Sequence, residues 1–153
     1  MAKPSYDRAQ MRRFLNEVWQ RNPLLEILHR INQRAADGQL DRDALQQQLL
    51  DVLSYFERDS GIPVQVVADG LVQAARGAGN LASMRSRPGY LQIESQVFRD
   101  TNVLLEEVNH EIAYHYARQN GDVPNLGEGP IDAIGLLESM ITGSPGAVLD
   151  HLS

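Results

Sequence analysis

The stretch Thr101-Asn-Val-Leu-Leu-Glu-Glu-Val-Asn-His-Glu-Ile-Ala-Tyr-His115 decides how this chain is read. At about 100° per residue on a helical wheel, Leu104, Leu105, Val108, Ile112 and Tyr116 fall within about 120° and make a core face. Glu106 and His110 stand four residues apart and point to nearly the opposite side. An ordinary surface helix would be polar throughout on that side, yet Val103, Ala113 and Ala117 accompany the two. The pattern predicts a helix opened by Asp100 or Thr101, running to about Gln119 and covered on both flanks, with Glu106 and His110 facing a cleft.

Two side chains at i and i+4 of a helix can share one metal ion, and the residue after the first is turned by about 100° towards a water at that ion. This is the geometry of His-Glu-x-x-His metallopeptidases, two ligands and a general base. Here the order is Glu106-Glu107-Val108-Asn109-His110, with glutamate in place of the first histidine. Glutamate can ligate zinc through oxygen, so Glu106 and His110 are candidate ligands and Glu107 the candidate base. The plainer alternative is a buried or capped His110 beside solvated glutamates. Glu111 and His115 are also four apart, on the edge of the core face, where an ordinary pair or a core histidine is the simpler reading. Five-residue spacing turns His110 and His115 about 140° apart, which keeps them from one ion. Glu107-x-x-His110 lacks the second such motif that a di-iron bundle needs.

Working outward, residues 1–60 read as three helices. Met11, Phe14, Leu15, Val18 and Trp19 form one apolar face. Asn22-Pro23 separates it from a second helix with Leu24, Ile27, Leu28 and Ile31, Asn22 being a candidate N-cap. Asp41 caps a third, ended by Asp59-Ser60-Gly61. Between Pro63 and Ala75 two readings compete: Val64, Val67, Ala68, Leu71, Val72 and Ala75 fit a helix, the slightly preferred reading, whereas Val64, Val66 and Val67 favour a strand. Gly77-Ala78-Gly79-Asn80 is expected as a loop, and 81–84 and 90–93 as strands about the turn Arg87-Pro88-Gly89. Residues 121–129 read as a loop, Pro130 as a helix start, 131–141 as a final helix, and Gly143-Ser144-Pro145-Gly146 as a break before a short tail. The fold class is α+β and helix-rich: a helical lead-in over 1–60 packed on a core of 61–153, the whole forming one compact domain.

The composition narrows the function. The chain has 153 residues, no cysteine and a net charge of −6, which excludes disulfides and thiolate metal sites and disfavours general nucleic-acid binding. Arg76, Arg85 and Arg87 lie close together in sequence, a local basic cluster against that acidic background. No apolar run suggests a signal peptide or a membrane span. His29 and His151 show no partner pattern. Gly77-Ala78-Gly79-Asn80 lacks the Lys-Ser/Thr of a phosphate loop, and no Gly-x-Ser-x-Gly elbow occurs.

The Gly79-Asn80 loop, the strand ending Tyr90-Leu-Gln-Ile93, the Leu-Leu-Glu-Glu-x-x-His helix and the acidic helix after it together resemble a family. Over roughly 61–141 the chain is similar to the small zincin-like metallopeptidase toxin domains at the C-terminal tips of bacterial polymorphic toxins, including Rhs-type proteins. That resemblance implies a zincin-like core, a zinc ion, and a third ligand on the helix after the motif, for which Glu128, Asp132 and Glu138 are the candidates. It implies a protein of the bacterial cytoplasm or one delivered into a target cell, with a protein substrate or a cognate immunity protein as partner. The other class of function is a metal-free protein-binding module, a degenerate zincin or an immunity-type partner, for which the Gln- and Arg-rich outer faces of the first three helices would suit.

Overall fold

The computed structural model describes residues 5–86, 89–119, 121–127, 129 and 131–153. Arg87 and Pro88 of the expected turn, Glu128 and Pro130 lie outside the described residues. The elements run β1 (Ser5–Tyr6), α1 (Arg8–Arg21), α2 (Pro23–Ala36), α3 (Arg42–Ser60), β2 (Val64–Val67), α4 (Leu71–Arg76), β3 (Ala82–Ser86), β4 (Gly89–Glu94), a 3₁₀ turn (Ser95–Arg99), α5 (Thr101–Ala117), β5 (Asn125–Leu126), α6 (Ala133–Thr142) and α7 (Pro145–His151). The chain is therefore α+β and helix-rich, with small sheets. Among the described residues no helix is long and apolar enough to cross a membrane.

Two compact units form, one from Met1–Gln33 with Ile112–Ser153 and the other from Arg34–Glu111. In the first, α1 begins with a capping box in which Asp7 accepts from the Gln10 amide and the Gln10 side chain accepts from the Asp7 amide. Each satisfies a backbone N–H that a helix start leaves unpaired. Met11, Leu15 and Val18 are buried along α1, as their spacing predicts. Pro23 starts α2, but Asn22 does not cap it with its side chain; that amide turns back to the Val18 carbonyl at 2.8 Å and closes the end of α1. His29, which the sequence left unpartnered, is buried with Nδ1 3.1 Å from the Ile141 carbonyl of α6. β1 pairs in parallel with β5, so the expected loop 121–129 contains a short strand. The expected tail is α7: Ser144 caps it through the Ala147 amide, and Pro145 starts a helix where its missing N–H costs nothing.

The second unit places α3 beside a three-stranded sheet of order β2-β4-β3, with β2 parallel and β3 antiparallel to β4. The helix preferred over 63–75 is corrected here. Val64–Val67 is a strand and only Leu71–Arg76 is helical, because β-branched side chains suit the pleat better than a helix turn. Side-chain alternation gives the sheet two faces. Leu91, Ile93, Ala82 and Met84 are buried on one; Tyr90, Gln92, Ser83 and Arg85 point to the other, alongside α4.

Carboxylates fasten α4 and the 3₁₀ turn. Glu94, at the end of β4 and fully buried, accepts from the Gly70 amide at 2.8 Å, the Gln73 amide at 2.9 Å, the Gln73 side chain at 3.0 Å and the Gln96 side chain at 2.7 Å. Gly70, at φ 88°, stands in the left-handed region, which brings its N–H to the carboxylate with little strain for a residue lacking Cβ. Asp69 answers from the neighbouring loop, accepting from Ser95 Oγ at 2.8 Å, the Gln96 amide at 2.6 Å and Arg99 Nη2 at 2.6 Å. The Arg99 bond, followed by that of Ser95, holds the Asp69 carboxyl below its usual pKa.

Burial is the largest single influence on Glu94 and pushes its pKa up, but its four hydrogen bonds together outweigh it and bring the pKa from 4.5 to about 2. A depressed folded-state pKa contributes stability that is complete above about pH 4.5 and lost as the pH falls towards 2. Glu94→Gln removes the charge and turns an NH2 donor towards either the Gly70 or the Gln73 amide, which bond to different oxygens. The variant is expected to be less stable than wild type at pH 7, with the gap narrowing below pH 4.5. Urea midpoints across a pH series check this; a gap independent of pH would show that the charge contributes nothing.

Candidate functional site

α5 runs unbroken from Thr101 to Ala117. Asp100 opens it, its Oδ1 accepting from the Asn102 amide at 3.1 Å and the Val103 amide at 3.4 Å. Leu104, Val108, Ile112 and Tyr116 are buried, as expected, and Leu105 is half-buried. Because the helix is regular, Glu106 and His110 share one face four residues apart, with Glu107 on the adjoining one. Glu106 and His110 are exposed and Glu107 is half-buried. One turn further along the same side, Ala113 and Ala117 are buried. The mixed character of this side, read from the sequence, thus corresponds to a change along the helix from an exposed half to a covered one.

Two polar residues of α5 are buried that the motif did not single out: Asn109 at 3% exposure and Glu111 at 6%. On the wheel they lie about 20° beyond either edge of the apolar arc. That position was the available signal, since residues flanking a wide apolar stripe are covered with it.

Asp132 and Glu138, two of the expected third ligands, belong to the unit built from the chain's N- and C-terminal parts. Asp132 is the N-cap of α6, accepting from the Gly135 amide at 3.0 Å. Glu138 is half-buried within α6, and its carbonyl accepts from Thr142 Oγ1. Glu128 lies outside the described residues. Among those described, no group of three or more His, Asp or Glu side chains is arranged to hold a metal ion. What α5 offers by itself is one imidazole and one carboxylate at helical chelating spacing with a second carboxylate beside them. One nitrogen and one oxygen donor suit zinc in kind, whereas a catalytic zinc site takes three protein donors.

Two arginines of the basic cluster, Arg76 and Arg85, line one pocket in the unit Arg34–Glu111. It has a volume of about 270 Å³ and opens between α4 and the outer face of β3 and β4. Arg87 lies outside the described residues.

The cap at Asp132 sets an expected outcome. Asp132→Ala should lower unfolding stability by about 1 kcal/mol through the loss of one N-cap bond, and Asp132→Asn should recover most of it in urea denaturation. An Asn variant as damaging as Ala would show that the charge, not the cap, is what Asp132 contributes. No protein-family model matches the chain, and no match was found among curated proteins or solved structures.

Proposed function

We propose that the chain is a metal-dependent hydrolase of the metallopeptidase type, centred on the turn of α5 that carries Glu106, Glu107 and His110. The observation that carries this reading is the unbroken helix Thr101–Ala117, which sets Glu106 and His110 on one exposed face with Glu107 adjoining. Glu106 and His110 would hold the ion. Zinc, when bound, supplies Lewis acidity towards a scissile carbonyl and makes water easier to deprotonate. Glu107 takes the proton of the attacking water and passes it to the departing amine. The setting of a bacterial antagonism toxin, with a protein substrate or a cognate immunity protein, rests on the sequence resemblance alone.

A second reading is a metal-free protein-binding module on the same scaffold, which the Gln- and Arg-rich outer faces of α1 to α3 would suit. The two readings separate on metal content. Protein purified without chelator is expected to carry about one equivalent of zinc, lost in His110→Ala. Glu107→Gln is expected to retain the zinc and lose roughly 10²- to 10⁴-fold in peptidase activity. Wild-type protein that is empty and takes up no added zinc would overturn the hydrolase reading in favour of the binding module, as would a folded Glu107→Gln with full activity.

A further inference from the structure

The pocket beside α4 is independent of the α5 turn and of any metal. Its base is the outer face of the β3–β4 ribbon, where the antiparallel register sets Arg85 across from Tyr90 and Ser83 across from Gln92. One rung therefore presents a guanidinium and a phenol, and the next a hydroxyl and a carboxamide. Val72 and Ala75 of α4 form an apolar wall, and Arg76, in the last turn of that helix, lines the pocket beside them.

The electrostatics of this pocket stand apart from the rest of the chain. The protein has a net charge of −6, yet among the described residues no carboxylate lines the pocket. Among the described residues neither Arg76 nor Arg85 is in an ion pair, unlike Arg21, Arg30 and Arg99, which pair with Glu17, Glu26 and Asp69. Arg76 has a structural use, since a cation suits the C-terminal end of a helix. Arg85 has none of that kind. Among the described residues its side chain makes a long bond, Nη1 to the Tyr90 hydroxyl at 3.4 Å. Two uncompensated guanidinium groups in a concave, partly apolar setting focus a positive potential that draws anions.

We propose that this pocket binds a small phosphate monoester. Two guanidinium forks match the charge of a monoester near neutral pH, about −1.5 to −2, and the geometry of its three oxygens. A single carboxylate would be satisfied by one fork. The Tyr90 ring with Val72 and Ala75 provides a surface for the carbon part of the ester, and Ser83 and Gln92 offer further hydrogen bonds. The volume of about 270 Å³ is near the lower end of small-ligand sites, roughly 300–1,000 Å³, so it holds one small molecule. The two Gly70 and Gln73 amide bonds to Glu94 fix α4 over the sheet, so the pocket wall is set before any ligand arrives.

The test is a titration of the whole chain with phenyl phosphate, followed by amide chemical shifts, with inorganic phosphate, benzoate and a short single-stranded RNA as comparisons. Phenyl phosphate is expected to shift the amides of residues 72–76, 82–85 and 90–92, and to bind more tightly than inorganic phosphate or benzoate. Arg85→Gln and Arg76→Gln should each weaken it roughly 10- to 100-fold, the effect of losing a charge-assisted hydrogen-bond pair. Arg85→Lys, which keeps the charge and spares the fold, should still weaken it because the fork is lost. Arg58→Gln, outside the pocket, should leave it unchanged. No shifts at millimolar phenyl phosphate, equal binding of benzoate, an equal loss in Arg58→Gln, or RNA binding far tighter than the monoester would each overturn the proposal.

Discussion

A single buried carboxylate organises the second unit. Glu94 is the last residue of the central strand, and its two oxygens receive four N–H groups from α4 and from the turn that follows the strand. An unpaired charge in that position would be costly to bury. A paired one does what an apolar residue there could not, because it satisfies the exposed amides at the start of α4 from outside that helix. α4 has only six residues, too few to hold together by its own hydrogen bonds. Its place over the sheet depends on this charge and on Val72 beneath it. Asp69 acts the other way across the same loop, so that each of two short elements is fastened by an acid belonging to its neighbour.

Much of the architecture could be read from local chemistry. The α1 stripe, the Asp41 cap of α3, the stop at Gly61, the β3–β4 hairpin and the extent of α5 all follow from periodicity and capping residues within a few positions of one another. What escaped were features set by distant partners. The pairing of β1 with β5 joins residues 5–6 to 125–126, and two-residue strands carry no periodicity to detect. Asn22 and His29 looked like a cap and an unattached histidine because their partners, the Val18 carbonyl and the Ile141 carbonyl, are backbone groups that leave no mark in the sequence. α7 was hidden for a different reason. Ser144-Pro145-Gly146 contains breakers, but a breaker in the first turn of a helix is a start signal.

The α5 motif was legible as a motif and no further. Spacing told which side chains share a face, and the helix is regular enough for that to hold; whether a third donor joins them depends on tertiary placement, which spacing does not encode. The arginine pocket shows the reverse. Arg76 and Arg85 were visible as neighbours in sequence, but an open cationic site requires the sheet register that sets Arg85 beside Tyr90 and the anchored helix that brings Arg76 to the same pocket. Acidic proteins can in this way carry a local site of the opposite sign, which net charge conceals.

The division of the chain into units also bears on how it acquires its structure. The unit Arg34–Glu111 is continuous, whereas the other is assembled from Met1–Gln33 and Ile112–Ser153. During synthesis the continuous stretch can collapse as soon as it has emerged, its sheet contacts all lying within a short span. The residues before it must wait for those after it. Closing a loop of that size costs only about 0.6 kcal/mol more than one half as long, so the delay is mainly one of time rather than of stability. Until β5 and α6 arrive, α1, whose Met11 and Leu15 are buried in the finished protein, lacks part of its eventual cover, and this interval is when the chain is most exposed to association with other nascent chains.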